Sequence, residues 1–406
     1  MHRRTLLKSL LAASLAGCNS APSKPGQLRV VVAGAGIVGA SIAYHLANAG
    51  AAVTVIDKQG PASHASRGTF AWINATWAKQ PRHYHQLAQD SVTYWRELQR
   101  SLDLPVKWGG SLEWFDNDDR QELLAEQIAE QAEWGEPARM VSSAEIAKLE
   151  PELEIAPDLR AALSANDGAV DPILITHRLL DSAAQLGARV VYPAELLDTS
   201  TAGGRLTAVE TTEETIEADR LVLATGAAPD LPRRFAGIDI PQRSTPGVIA
   251  VTTPMPKILN RIVVAPSVHI HQRLDGRIVL GEQNGAPDTE AHALRLRERP
   301  NDFPHSAIAR DHGKRILSVA TRFVPAMDGA ELEATYVGWR PLPLDGHPVL
   351  GTNPATPDVY IAIMHSGVTL APIVGQLVAR EIVNAEPVDQ LSRFRPTRSF
   401  QRVRRY

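Results

Sequence analysis

Three glycines and one aspartate near the start of the sequence have the spacing of a phosphate-binding turn. Gly34, Gly36 and Gly39 form the pattern G-x-G-x-x-G after an apolar run, and Asp57 follows 23 residues after Gly34. In such a turn the first glycine permits a tight bend, the second lets the backbone approach a pyrophosphate, and the third allows close packing of helix on strand. The aspartate would accept hydrogen bonds from ribose hydroxyls. The pattern therefore predicts a dinucleotide site, which we expect to include Ile37, Val38 and Lys58.

Short elements of alternating type position these residues. An apolar strand at residues 30–33 precedes the turn, a helical pattern runs from Ile37 to Gly50, and a second strand covers residues 53–56. Continuous apolar strands of this kind are buried on both faces of a parallel sheet. Residues 247–281 instead show short alternating strands, which are typical of an antiparallel sheet. Because segments of the first type also recur in the middle and at the end, the sequence predicts two interleaved domains, one α/β and one α+β.

The first 18 residues resemble a bacterial export signal. Arg3, Arg4 and Lys8 precede an apolar run that is too short to span a bilayer. The segment RRTLLK resembles a twin-arginine motif, and LAGC resembles a lipobox in which Cys18 is acylated. We therefore expect removal of residues 1–17, a tether over residues 18–27, and a lipid anchor on the periplasmic or outer face of a membrane in the cell envelope, with a cytoplasmic protein as the alternative. Twin-arginine export carries folded proteins, which favours a cofactor inserted before export.

Composition and charge exclude several other functions. The formal net charge is −3, so there is no basic field suited to nucleic acid. Cys18 is the only cysteine, which excludes an intrachain disulfide and a thiolate metal site. His83 and His85 lie two residues apart on a predicted helix, where we expect surface groups and no metal site. Six arginines in residues 391–406 predict a solvated basic tail, with contact to anionic lipid as the alternative.

Six segments together resemble one protein family. In chain order they read VVVAGAGIVGASIAYHLANAGAAVTVID, PASHASRGTFAWIN, GAVDP, ADRLVLATGA, GWRPLPLDGHPVLG and MHSGVTLAP. They are similar to segments of the FAD-dependent D-amino-acid oxidase superfamily, which includes glycine oxidase, sarcosine oxidase and D-amino-acid dehydrogenase. The resemblance implies FAD as the cofactor and a Rossmann-like FAD-binding domain interleaved with an antiparallel-sheet substrate domain. The bounds that we expect are residues 28–80, 155–240 and 335–390 for the first domain, and residues 81–154 and 241–334 for the second.

The same resemblance implies further contacts to FAD. They fall in the loop after the acidic strand, in an Ala-Thr-Gly turn, and at the start of the last helix, where the helix N-terminus would stabilise negative charge on the reduced ring. The residues are Ser66, Arg67, Gly68, Thr225, Gly226, Ser366, Gly367, Val368 and Thr369. His64 lies one residue from the position of a flavin-linked histidine in dimethylglycine-type enzymes. We expect a loop or pocket side chain there and no covalent bond to the flavin.

Three further residues are candidates for substrate contact by resemblance. Arg340 matches an arginine that holds the substrate carboxylate in relatives that oxidise amino acids, a task suited to two parallel hydrogen bonds from a guanidinium. We also assign it to the FAD site, and the alternative is an arginine that braces its strand. His269 falls where relatives often have tyrosine, so it lines the substrate cavity or packs beside it. His365 is expected to contact the flavin edge or the substrate.

These residues together predict oxidation of the C–N bond of a small amino acid or N-methyl amine, with hydride transfer to flavin. The electron acceptor would be oxygen, a quinone or a redox protein, and a membrane anchor favours a dehydrogenase over an oxidase. Three alternatives remain open: an FAD-dependent 2-hydroxy-acid dehydrogenase, a flavin-binding protein without turnover, and an NAD-dependent enzyme, which would purify colourless.

Overall fold

The computed structural model describes residues 26–74, 80–228, 230–282 and 306–401. The predicted export signal, Cys18 and the last arginines of the chain lie outside these residues, so the signal and the lipid anchor stay predictions. Within the described part of the chain, no helix combines the length and hydropathy needed to cross a membrane.

The helices and strands follow each other in mixed order along the chain. The helices are α1 (Ile37–Asn48), α2 (Arg82–Leu102), α3 (Asp118–Glu133), α4 (Ser143–Leu149), α5 (Pro172–Gln185), α6 (Asp230–Ala236), α7 (Ser306–Thr321) and α8 (Gly367–Asn384). The strands are β1 (Arg29–Ala33), β2 (Ala52–Ile56), β3 (Trp72–Ile73), β4 (Val106–Trp108), β5 (Ser111–Glu113), β6 (Ala138–Ser142), β7 (Arg160–Ser164), β8 (Gly168–Val170), β9 (Arg189–Val191), β10 (Leu196–Ala202), β11 (Arg205–Thr211), β12 (Thr215–Glu217), β13 (Arg220–Leu223), β14 (Gln242–Thr252), β15 (Ile262–Ala265), β16 (Val268–Gln272), β17 (Ile278–Gly281), β18 (Leu332–Pro343), β19 (Val349–Asn353) and β20 (Thr356–Ile363).

A six-stranded sheet forms the centre of the first domain, in the order β19-β20-β13-β1-β2-β9. Its strands are parallel except for β19. Side chains of β1 alternate between two cores: Val30 and Val32 face a layer of helices that includes α1, α2, α5 and α8, whereas Val31 and Ala33 face the small sheet β10-β11-β12 and helix α6. The apolar run is buried on both faces, which confirms the predicted parallel sheet.

A second, eight-stranded sheet forms the other domain, in the order β18-β14-β17-β16-β15-β5-β7-β6. It is antiparallel apart from the pair of β5 and β15, and this confirms the predicted substrate-domain architecture. One face packs on α7. The other face packs on Phe70 and Trp72, which come from the segment that follows the dinucleotide turn. The two domains are therefore interleaved in sequence and joined along this face.

Three elements lie in a different domain from the one predicted from the sequence. Strands β7 and β18 belong to the eight-stranded sheet, although residues 155–240 and 335–390 were expected in the first domain. Helix α2 packs in the helix layer of the first domain, where Trp95 is fully buried, although residues 81–154 were expected in the second. Periodicity indicates the type of an element but not the sheet that it joins.

The C-terminal segment is packed, so the expected solvated tail is wrong for residues 391–398. Leu391 and Phe394 are buried in the helix-side core. The Arg395 guanidinium forms two hydrogen bonds with the Glu381 carboxylate, and Arg398 donates to both oxygens of Asp345 at 2.7 and 3.0 Å. The arginines are positioned by carboxylates from other parts of the chain, which a charge pattern alone does not show.

Candidate active site

A cavity of about 610 Å³ opens at the carboxyl ends of β1, β2 and β13, the edge where ligands bind in open α/β sheets. It brings together most of the residues predicted from the sequence for the cofactor. Those that line it are Gly34, Gly36, Ile37, Val38, Asp57, Lys58, Ser66, Thr225, Gly226, Gly367 and Val368, together with His64 and His365.

Each glycine of the first turn is required for a different reason. Gly34 has a φ of +110°, and a Cβ there would lie 2.4 Å from the carbonyl oxygen of Ala224. Gly36 has an ordinary φ of −76° at the start of α1, so its backbone geometry does not require glycine. Since Gly36 lines the cavity, its lack of a side chain leaves room for a ligand. Gly39 packs the helix on the turn, because its Cβ would lie 1.9 Å from the oxygen of Gly34.

Asp57 and Ser66 order the loops around this turn. Asp57 Oδ2 accepts a hydrogen bond from Ala35 N, and Oδ1 accepts from the backbone N–H groups of Gln59 and Gly60. A carboxylate has about four acceptor sites, so one is left for a ribose hydroxyl. Ser66 Oγ accepts from Ile37 N at 3.0 Å, in the first turn of α1.

The polar groups that line the cavity fit a flavin dinucleotide as its ligand. Thr225 Oγ1 is buried and has no hydrogen-bond partner among the described residues, although buried hydroxyls normally have one. At Gly226, on the same turn, a Cβ would meet open space. A hydroxyl that lacks a partner beside an open turn fits a ligand with many polar atoms, such as a dinucleotide.

Helix α8 directs its N-terminus at the cavity through Gly367 and Val368. Pro372 lies inside this helix and has no N–H to donate to Val368 O, four residues earlier. The Trp95 indole of α2 replaces that donor, with Nε1 3.1 Å from Val368 O. Helix α2 therefore holds the first turn of α8 in place.

Six predicted cofactor residues do not line the cavity as the described residues form it: Gly39, Arg67, Gly68, Arg340, Ser366 and Thr369. Arg67 lies over the Tyr336 ring, and Gly68 packs on the backbone of Gly338. Ser366 Oγ accepts from the Tyr84 hydroxyl, and Thr369 Oγ1 bonds with backbone groups of Trp72 and Asn74. Gly39 likewise supports the turn from behind. Their contribution to cofactor binding stays a prediction.

Arg340 is a half-buried cation whose charge has no carboxylate partner among the described residues. Its Nη2 donates to Pro246 O at 3.2 Å, while its Nε is buried without a hydrogen bond. Burial lowers the pKa of this guanidinium from its usual value. An unpaired charge is costly to bury, so the site favours an anionic ligand.

His269 lies close enough to Arg340 for the arginine charge to act on it. Burial, followed by the Arg340 charge, lowers the pKa of His269 to about 4, so the imidazole is neutral at neutral pH. His271 lies two residues later on the same strand and therefore on the same face, and both rings contact Phe70. His269 also contacts the Trp72 ring edge-on at 6.1 Å between centroids.

Several residues around the site were not predicted from the sequence. Phe70 and Trp72 stand beside His269, and Trp72 Nε1 donates to the fully buried Asp167 carboxylate at 2.9 Å. Ala194, Glu195 and Leu196 line the cavity near Asp57. Phe70 and Trp72 lie in the segment PASHASRGTFAWIN that resembles the family, but the resemblance did not assign them a role, and Asp167, Ala194, Glu195 and Leu196 lie outside the six segments.

The histidine pair on α2 is a further correction. His83 is exposed as expected, but His85 is only 1% exposed, and its ring packs on Trp134. Helical spacing indicates that the two side chains point in different directions. It does not show that α3 and the loop after it cover His85. No group of residues able to hold a metal ion occurs in the described ranges.

Comparison with known proteins gives one family. The model of the family described as FAD dependent oxidoreductase matches residues 29–381. The anaerobic glycerol-3-phosphate dehydrogenase subunit A1 of Haloferax volcanii is 27% identical over 330 residues, which cover 77% of this chain but only 54% of that protein. The glycine oxidase of Bacillus licheniformis is 24% identical over 372 residues, 88% of this chain and 93% of that protein. The crystal structure of glycine oxidase from Geobacillus kaustophilus superposes with a TM-score of 0.80 at 24% identity, and the match covers 92% of this chain and 100% of that one.

Proposed function

Because the chain belongs to the family of FAD-dependent oxidoreductases and uses FAD as its cofactor, we propose that it oxidises the C–N bond of a small amino acid or N-methyl amino acid. The observation that carries this proposal is Arg340, a half-buried guanidinium whose Nε is buried without a hydrogen bond and which has no carboxylate partner among the described residues. A substrate carboxylate would supply that partner through two parallel hydrogen bonds. The relatives with amino-acid substrates in their names support the same class.

The residues of the cavity would hold the cofactor along its length. Gly34 and Gly36 would face the pyrophosphate, Asp57 the ribose, and Thr225 would give its hydroxyl a partner. When bound, FAD supplies the hydride acceptor for the carbon that carries the amine. The N-terminus of α8, at Gly367, would stabilise negative charge on the ring.

The protein's task in the reaction is to position the substrate and to exclude competing charge. Arg340 would fix the carboxylate end, and the neutral His269 would lie beside it without repelling the guanidinium. An amine that arrives deprotonated already has the lone pair needed for imine formation, so no obligatory base is required. The imine would then be hydrolysed by water after it leaves the site.

A second candidate function is oxidation of a 2-hydroxy acid. Arg340 would hold its carboxylate equally well, and the neutral imidazole of His269 would lie beside the substrate. The similarity to a glycerol-3-phosphate dehydrogenase subunit, a protein named for oxidation of an alcohol, also favours this candidate.

Electrons from the reduced enzyme must pass to an acceptor, which we propose to be a membrane quinone or a redox protein, with oxygen as the slower alternative. This proposal depends on the predicted lipid anchor at Cys18, which lies outside the described residues. It is tested by cell fractionation, in which the wild type should be found with membranes and Cys18→Ser should be uncleaved or released.

The proposed function is tested by mixing the purified yellow protein anaerobically with a substrate panel. The panel contains glycine, sarcosine, D- and L-amino acids, and the matching 2-hydroxy acids. Loss of the oxidised flavin spectrum with one or more amines, faster than with the hydroxy acid of the same carbon skeleton, supports C–N oxidation. Reduction by hydroxy acids alone favours the second candidate, and a spectrum unchanged by every compound contradicts both.

A further inference from the structure

Phe70 separates the cofactor cavity from the substrate-domain sheet. Its neighbour Thr69 lines the cavity. The Phe70 ring itself packs on the face of the eight-stranded sheet that carries Ile249, Val251 and Val279. Because this ring is not fully buried, it lies at the border between the two domains and is not part of a closed core.

The backbone around Phe70 is held in a conformation that local preferences do not favour. Ala71 has a φ of +60° although it carries a Cβ and is 1% exposed. Left-handed conformations of residues other than glycine persist only where surrounding contacts fix them. Here Thr69 Oγ1 accepts from Ala71 N at 3.2 Å, and His271 Nε2 donates to Phe70 O at 2.9 Å. The position of the Phe70 ring is thus strongly determined.

The sheet has room for this ring and little more. A Cβ at Gly281 of β17 would lie 3.3 Å from Phe70 Cδ2 and 3.3 Å from Ile249 Cδ1. His269 pairs with Gly281 across the two strands, and its ring centroid is 5.3 Å from that of Phe70. The ring therefore fills the sheet surface next to His269.

Phe70 also borders the proposed carboxylate anchor. Residues 336, 338 and 340 of β18 share one strand face, since side chains alternate along a strand. Tyr336 on that face packs on the same buried cluster as Phe70, and Gly338 packs on Gly68. Arg340 lies at the end of the same row, close to His269. Phe70 thus lies on one side of the space that a substrate held by Arg340 and His269 would occupy.

We propose that Phe70 determines substrate size, by occupying the volume into which a bulky group on the substrate's α-carbon would extend. This inference rests on the proposed function, because it assumes that Arg340 holds the substrate carboxylate. It predicts a preference for glycine, alanine and their N-methyl derivatives over amino acids with aromatic side chains. It also attributes the discrimination against bulky substrates to Phe70 and not to His269.

The test is a spectral titration that does not need turnover. Acetate and benzoate are added to the oxidised holoprotein, and the shift of the flavin spectrum gives a dissociation constant for each. In the wild type we expect acetate to bind at least as tightly as benzoate. In Phe70→Ala the ratio of the two constants should move towards benzoate by roughly tenfold or more, the range expected when a pocket gains space for several carbon atoms.

Phe323→Ala is the matched control, because it removes the same ring from the opposite face of the same sheet, where Phe323 packs on Trp114. It should leave the acetate-to-benzoate ratio unchanged. Phe70→Leu serves if Phe70→Ala loses flavin, and it should shift the ratio in the same direction by a smaller factor.

The outcomes separate this inference from the proposed function. No binding of acetate or benzoate to the wild type contradicts the carboxylate anchor and with it the proposed function. Binding with a ratio that is unchanged in the Phe70 variants, or changed equally in Phe323→Ala, overturns the role of Phe70 alone. Loss of flavin in both Phe70 variants also overturns it, because the ring would then act through the fold.

Discussion

Replacing Arg340 by lysine separates a carboxylate anchor from a structural arginine. Lysine keeps the positive charge and can still donate to Pro246 O, the hydrogen-bond acceptor that Arg340 Nη2 has at 3.2 Å. It loses the planar fork and the buried Nε that now lacks a partner. A hydrogen bond between charged groups contributes about 1.5–3 kcal/mol, so the apparent substrate constant should rise by roughly ten- to a hundredfold. Arg340→Ala should lose more.

The assay measures the rate at which the bound flavin is reduced anaerobically. Enzyme and substrate are combined by rapid mixing over a range of substrate concentrations. Amines without a carboxylate are the internal control. The rate at which they reduce the flavin should be nearly the same in both variants as in the wild type. Arg273→Lys is the matched variant, since Arg273 directly follows β16 of the same sheet but already has a carboxylate partner, Asp171, at 2.8 Å. Its substrate constant should stay within about twofold of wild type.

Two results would refute the reasoning about Arg340. Equal losses for substrates with and without a carboxylate would mean that the arginine supports the site without touching the substrate. Loss of FAD from Arg340→Lys would mean that it braces β18 or the cofactor, and the substrate class would be open again.

Three other predictions concern the cofactor turn, helix α8 and a buried histidine. Gly36→Val should give folded, colourless protein, because its side chain would occupy the cavity and meet Ser66 Oγ, which lies 3.1 Å from an added Cβ; the flavin-to-protein ratio and the circular dichroism spectrum check this. Trp95→Phe should lower the free energy of unfolding by about 1–3 kcal/mol in a urea titration, since Val368 O loses the donor that Pro372 cannot supply, and an unchanged midpoint would contradict that role. Burial lowers the pKa of His271 to about 3, below its unfolded value, so its stabilising contribution is complete above about pH 6.5 and is lost as the pH falls towards 3. Between pH 7 and pH 5 it should account for about 2 kcal/mol of lost stability, and His271→Gln should make the urea midpoint less dependent on pH over that interval.

The features that the sequence predicts well are those encoded within one short segment. The turn at Gly34, Gly36 and Gly39 is local, so its strand, helix and aspartate could be placed from spacing alone. The cap of α3 is also local, because Asn117 Oδ1 accepts a hydrogen bond from Arg120 N three residues later. Family resemblance extended this to residues far apart in the chain, such as Thr225 and Gly367, which line the same cavity.

The rest depended on contacts between segments that carry no common pattern. His85 becomes buried because other elements cover it, and Arg395 and Arg398 meet Glu381 and Asp345 from distant parts of the chain. Ser366 and Thr369 have the right position in the sequence for cofactor contact, but their hydroxyls bond to neighbouring elements. Phe70 lies in a segment that resembles the family, but its own role could not be predicted, because that role comes from the sheet face on which it packs.

The most direct test of C–N oxidation is a single anaerobic turnover in which the released products are counted. The best amine of the substrate panel is mixed with holoprotein until the flavin is fully reduced. Ammonia or methylamine is then measured together with the oxo acid, and for an N-methyl substrate the demethylated amino acid is measured together with formaldehyde. Oxidation of the C–N bond predicts one equivalent of the amine product and one of the matching carbonyl product, an oxo acid or formaldehyde, for each flavin reduced. A reduced flavin without released amine, or an oxidised flavin after exposure to every amine of the panel, would contradict it.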